Sequence, residues 1–122
     1  MRFFKPKKHF EYTSAHAGWF FDLQTIIKKD KTKWQKILVA ENPELGKTLL
    51  LDGITQLTEA GEYQYHEPMA HIPLLSHPKP ERVLIIGGGD GGLARDVLRH
   101  STIKTLDLVD LDEGVIEFSK KF

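Results

Sequence analysis

Residues 87–92, Gly87-Gly88-Gly89-Asp90-Gly91-Gly92, concentrate the chemistry of this sequence: five glycines around one aspartate. Gly87, Gly89 and Gly92 satisfy the G-x-G-x-x-G spacing, in which the missing side chains let backbone N–H groups approach a ligand closely. That spacing is weak alone, so its flanks decide what it means. Val83-Leu84-Ile85-Ile86 before it reads as a buried strand of a parallel sheet. Leu93 to His100 after it reads as a helix, with Leu93, Ala94, Val97 and Leu98 on one side and Arg95, Asp96 and Arg99 on the other. Strand, glycine turn and helix together form the small-molecule cradle of an open α/β sheet, which predicts a nucleoside-type ligand. Asp110 lies 23 positions after Gly87, at the end of the next apolar stretch. A carboxylate there can accept both ribose hydroxyls of an adenosine. The competing reading is a strand-end or helix-capping residue.

Asp90 narrows the ligand. In a dinucleotide site this turn lies against a pyrophosphate, and two like charges about 4 Å apart cost several kcal/mol at an effective dielectric near 20. Asp90 therefore argues against NAD or FAD and for a ligand without phosphate, such as a sulfonium nucleoside. S-adenosylmethionine still carries a carboxylate on its tail. Its decarboxylated form ends in an ammonium, which Asp90 would attract.

Other chemistries are excluded or disfavoured. His66-Glu67-Pro68-Met69-Ala70-His71 resembles a zinc-protease motif but spaces its histidines five apart, about 140° round a helix, so they cannot share a metal on one face. No metal is expected. With no cysteine, disulfides and thiolate metal sites are both ruled out. The 17 basic and 17 acidic residues balance, leaving no global field to draw the chain to nucleic acid or an anionic membrane. No apolar run approaches the roughly 20 residues of a membrane span, and the basic start Met1-Arg2-Phe3-Phe4-Lys5-Pro6 lacks the core of a signal peptide. The expected location is the cytoplasm.

The elements around the turn follow from local patterns. Residues 1–18, with His9, Phe10, Tyr12 and His16, read as an arm or a first edge strand. Trp19 to Leu23 and Thr25 to Ile27 are β-prone, and Lys28 to Lys33 reads as a solvated hairpin tip. Trp34 to Ala40 is a predicted strand, Asn42 to Gly46 a turn, and Thr48 to Leu51 a strand. Asp52-Gly53 is the strongest hairpin signal, with Ile54 to Thr58 as the returning strand. The period then changes. Tyr65, Met69, Ile72 and Leu75 fall at helical spacing over residues 62–75, with Pro68 and Pro73 expected to kink or break the helix. His77-Pro78-Lys79-Pro80 reads as an extended linker. Thr105 to Leu111 is a second apolar strand, and Gly114 to Phe122 starts a further helix.

The predicted class is α/β: an N-terminal antiparallel β-strand domain followed by the first half of a Rossmann-like parallel sheet of the class I methyltransferase type. The expected division is 1–60 for a β-meander and oligomerisation domain, 61–80 for a helix and proline-rich linker, and 81–122 for the start of a nucleoside-binding domain. A parallel sheet normally has five or more strands covered on both faces. The chain is therefore expected to be the N-terminal part of a longer protein.

GGGDGG after V-L-I-I, preceded by H-P-x-P, resembles the polyamine aminopropyltransferase family, the spermidine synthases above all. The resemblance extends upstream through Asn42 to Gly46, Leu51 to Gln56, Thr58-Glu59 and Glu62 to Glu67. It implies transfer of an aminopropyl group from decarboxylated S-adenosylmethionine to putrescine or a similar diamine, giving spermidine and methylthioadenosine. No tightly bound cofactor is implied, and a homodimer or homotetramer is. By position, Gln35 and Asp110 would hold the nucleoside on the Gly87-Gly88-Gly89 turn, Asp90 the aminopropyl amine, and Tyr65 and His66 the acceptor channel. Without the resemblance, Tyr65 and His66 read as helix packing. Asp110 stands where the family often has glutamate, and Pro68 where it usually has methionine. The family's general base is an aspartate well downstream of the helix that starts at Gly114, so no catalytic residue is expected in this chain, which alone is expected to be inactive. Two further readings stay open: a methyltransferase using intact S-adenosylmethionine, and a non-enzymatic oligomerising β-module.

Overall fold

The structure, a computed structural model, describes residues 7–122. The chain forms two compact units, dividing between Gly61 and Glu62. Residues 1–6 of the expected N-terminal arm lie outside the described residues.

The first unit is antiparallel throughout. β1 (Lys7–Tyr12) pairs with β2 (Gly18–Leu23). β3 (Thr25–Lys31), β4 (Lys36–Asn42), β5 (Gly46–Leu51) and β6 (Ile54–Thr58) form a four-stranded meander in chain order. Turn chemistry sets these joints. Asp52 (φ 51°) and Gly53 (φ 85°) both take the left-handed conformation that a two-residue hairpin requires, and the side chain of Asp52 accepts from Lys36 N at 2.9 Å. Asn42 Oδ1 accepts from the N–H groups of Glu44 and Leu45 at 2.8 and 2.9 Å, closing the β4–β5 turn. The same side chain donates from Nδ2 to Asp22 O at 2.8 Å, tying β4 to β2. Phe21, Leu23, Ala40 and Leu50 form the core there. Fully burying a leucine such as Leu50 contributes about 2 kcal/mol.

Two expectations in this unit are corrected. Lys28 to Lys31 belong to β3, and the turn occupies the residues after them, with Trp34 and Gln35 outside β4. β3 is an edge strand, solvated along its length and held by pairing with β4, so it shows no apolar alternation to read. Lysines on such an edge discourage pairing with another chain.

In the second unit β7 (Arg82–Ile86) and β8 (Thr105–Val109) pair in parallel, in register from Arg82 against Thr105 to Ile86 against Val109. α1 (Tyr63–Ser76) precedes β7, α2 (Gly92–Val97) joins the strands, and α3 (Glu113–Ser119) follows β8. Ala70 and Leu74 of α1, Ile85 of β7 and Val97 of α2 form the core, with Leu93, Leu106 and Leu108 packed against it. The linker His77–Pro80 joins α1 to β7 within this unit.

Four readings of this unit change. α1 runs unbroken through Pro68 and Pro73. Its buried face is His66, Ala70 and Leu74, whereas Tyr65, Met69, Ile72 and Leu75 point outward, Leu75 being 77% exposed. The second face of β7 is open as well, with Ile86 84% exposed, so the four apolar residues are not buried on both sides among the described residues. Finally Asp96, read with Arg95 and Arg99 on the side opposite the apolar residues, is fully buried, while Leu98 is exposed. Two arginines contacting Asp96 account for its burial, since a carboxylate enters an interior only with such partners.

Candidate functional site

Gly87, Gly88 and Gly91 carry φ of 85°, 71° and 82°, a conformation that L side chains rarely adopt, which is the physical need for glycine at these positions. The turn is fastened at both ends. Gly87 N donates to Val109 O at 2.7 Å, linking it to β8, and Gly91 N donates to Gly88 O at 2.9 Å. Asp90 Oδ1 accepts from Gly92 N at 2.8 Å, at the start of α2.

Asp110 sits just past β8 and braces the turn from the other side. Its Oδ2 accepts from Gly89 N at 2.8 Å, and its Oδ1 accepts from Asp112 N at 2.9 Å. A Cβ on residue 89 would stand 2.8 Å from that Oδ2, so the third residue of the turn must be glycine for the carboxylate to reach the backbone. Asp112, not Asp110, caps α3, accepting from Gly114 N at 3.0 Å.

His66 approaches from α1. Its Nε2 stands 3.3 Å from Asp90 Oδ1, and its Nδ1 meets Glu62 Oε2 one helical turn back. The ring is buried and lies where a side chain on residue 92 would be: a Cβ there would overlap its Cε1 and Nδ1. The last glycine of the motif thus exists to admit the imidazole. Among the described residues, the contacts of His66 and Gly92 with the Asp90 carboxylate both fall on Oδ1.

Behind His66 lies a run of alternating charge. Arg95 Nη2 donates to both oxygens of Glu62 at 2.9 Å. Arg95 also donates from Nε and Nη2 to Asp96 at 3.1 and 3.0 Å, and Arg99 Nη1 reaches Asp96 at 3.2 Å. The Arg95 guanidinium holds the carboxyls of Glu62 and Asp96 below their usual range, against the opposing effect of burial. These two carboxylates in turn hold the guanidinium proton more tightly than usual, Asp96 most.

Of the residues singled out in the sequence, Gly87, Gly88, Gly89, Asp90, Asp110 and His66 converge on one turn. Tyr65 is exposed, its ring in a T-shaped contact with that of His66, centroids 5.4 Å apart. Gln35 lies in the first unit, where its N–H donates to Thr32 Oγ1 at 3.1 Å. His71 turns away from His66 and meets His100, Nδ1 to Nε2 at 2.8 Å. Among the described residues no group of three or more histidines or carboxylates could hold a metal ion. Sequence reasoning missed Glu62, Arg95 and Asp96. The four-residue step from Glu62 to His66 was the available signal, since it places the two side chains on one face of a helix.

A glycine turn between parallel strands, with carboxylates at the turn and after the second strand, is the start of a Rossmann-like fold. Residues 62–122 match the spermine/spermidine synthase domain, and residues 9–59 the spermidine synthase tetramerisation domain. The chain belongs to the spermine/spermidine synthase family. It is 43% identical over 118 residues to the polyamine aminopropyltransferases of Yersinia pseudotuberculosis (serotype O:1b) and Yersinia pestis, covering 95% of this chain and 40% of theirs. The spermidine synthase of Thermotoga maritima superposes with a TM-score of 0.92 at 42% identity, over all of this chain and 44% of that one. A spermidine synthase solved in complex with the transition-state analogue AdoDATO gives the same TM-score and identity, covering 43% of that chain. The chain thus spans about two fifths of the length of the relatives it matches.

Proposed function

We propose that this chain supplies the donor side of an aminopropyl transfer, from decarboxylated S-adenosylmethionine to putrescine or a similar diamine, in a cytoplasmic homodimer or homotetramer. The observation that carries this reading is Asp90, a carboxylate in the glycine turn with its Oδ1 contacted by His66 and Gly92. Such a group repels a carboxylated or phosphorylated ligand and attracts an ammonium. Membership of the family and the AdoDATO complex of a relative support the same donor.

In this reading the Gly87-Gly88-Gly89 turn and Asp110 hold the nucleoside, and Asp90 draws in the amine of the aminopropyl tail. Tyr65 and His66 line the approach of the acceptor amine. On family resemblance alone, Gln35 is assigned to the same nucleoside. In the transfer, a neutral amine of the diamine forms a C–N bond to the methylene beside the sulfonium. The C–S bond breaks, and its electron pair leaves with sulfur as methylthioadenosine. The new ammonium then gives up a proton to a general base. Family resemblance assigns that base to an aspartate beyond α3, so Asp90 and His66 bind and orient in this scheme.

Titration of the chain with decarboxylated and intact S-adenosylmethionine, read by calorimetry and thermal shift, tests the proposal. Preference for the decarboxylated donor is expected. Equal or reversed preference would favour a methyltransferase. Binding of neither, with a defined oligomer on sizing, would favour the non-enzymatic β-module.

A further inference from the structure

We propose that Glu62 is a positioning residue: gripped by Arg95, it sets the rotation of the His66 ring so that Nε2 is directed at Asp90. Gly92 sets how deep the ring sits but leaves its rotation undetermined, because a bare Cα presents no polar group to either ring nitrogen. Glu62 provides the missing constraint through its contact with Nδ1. Its own carboxylate is not free to swing. Both oxygens lie 2.9 Å from Arg95 Nη2, and Arg95 is anchored in turn by the fully buried Asp96. A line of contacts therefore runs from the interior of α2, through the start of α1, to the Asp90 carboxylate. His66 is buried, so water is a poor substitute for either partner. The consequence for ligand binding rests on the donor reading above, whereas the orientation of the ring does not.

The test is made on the full chain at neutral pH by long-range ¹H–¹⁵N NMR of the His66 ring, together with the amide proton of Gly92, which reports on Asp90 Oδ1. Glu62→Ala, Glu62→Gln and the exposed control Glu117→Gln are compared with wild type, with amide-exchange protection at Ile85 and Val97 as the check on folding. The expected result is a changed His66 ring pattern and a moved Gly92 amide in Glu62→Ala. Glu62→Gln, which keeps an acceptor oxygen, should fall between, and Glu117→Gln should match wild type. Decarboxylated S-adenosylmethionine should bind about tenfold more weakly to Glu62→Ala, as when an outer partner orienting a binding side chain is removed. If Glu62→Ala does not fold, Arg95→Lys, which weakens the grip on Glu62 without altering α1, is read the same way. Unchanged ring and amide signals in a folded variant would overturn the proposal. A wild-type chain that binds no donor, with ring signals that still respond to Glu62→Ala, would overturn the donor reading and leave the positioning role standing.

Discussion

His66 fills the space that a side chain on residue 92 would occupy, so the final glycine of the turn and a histidine from the preceding helix are a matched pair. The third glycine of G-x-G-x-x-G is usually explained by helix–strand packing. Here it admits an imidazole that reaches Asp90.

Gly92→Ala should expel the ring or displace α2. Overpacking of this kind costs about 1–3 kcal/mol. A thermal melt should show the loss, and titration with decarboxylated S-adenosylmethionine should show weakened binding. Gly91→Ala gives the contrast: nothing lies within 4 Å of its added Cβ, so its cost comes from the backbone at φ 82° alone. The His66 ring should stay in place in that variant.

Asp90→Gly should change which donor is preferred. Removing the carboxylate relieves repulsion of the amino-acid tail of intact S-adenosylmethionine and forfeits attraction for the aminopropyl ammonium. Calorimetry should find the intact form binding about tenfold tighter to the variant than to wild type, corresponding to about 1.4 kcal/mol. An unaltered preference would remove Asp90 as the selector.

Asp110→Asn leaves one acceptor oxygen where two backbone N–H groups now find partners, on Gly89 and Asp112. Stranding one of them should cost about 1–3 kcal/mol in a urea melt. Nucleoside affinity should fall with it, because the same carboxylate braces the turn.

Stability should fall in acid through Glu62 and Asp96. Both carboxyls are held below their ordinary values in the folded chain, by hydrogen bonds from Arg95 first, so each ionises more readily folded than unfolded. Their contribution is complete above the unfolded values, about pH 4, and is lost as pH falls through the lower folded values. Melting temperatures from neutral pH downward should trace this decline. A Glu62→Gln/Asp96→Asn double variant should start less stable and decline less steeply.

Much of the architecture was written in adjacent residues. Asp52-Gly53 and Asn42 to Gly46 encode their turns through backbone preference and a local side-chain acceptor, and β6 spans Ile54–Thr58 as its pattern indicates. The glycine turn was legible for the same reason: left-handed φ at Gly87, Gly88 and Gly91 is a property of single residues. Lys28 to Lys31 were not, because an edge strand with solvent on both faces carries no alternation, and its pairing with β4 alone makes it a strand.

By itself, then, the sequence determined the α/β class, the turn and the carboxylates flanking it, since each depends on the conformation or charge of neighbouring residues. Tertiary structure alone decided which face of α1 is buried, that Asp96 lies inside, and that Glu62, His66 and Asp90 form one line. Helical spacing marks Tyr65, Met69, Ile72 and Leu75 as an apolar stripe. The face that packs is nevertheless chosen by what lies opposite, and His66 is drawn inward by two carboxylates and a glycine without a side chain. Burial of a polar group depends on partners brought together from distant parts of the chain. Only folding brings them there.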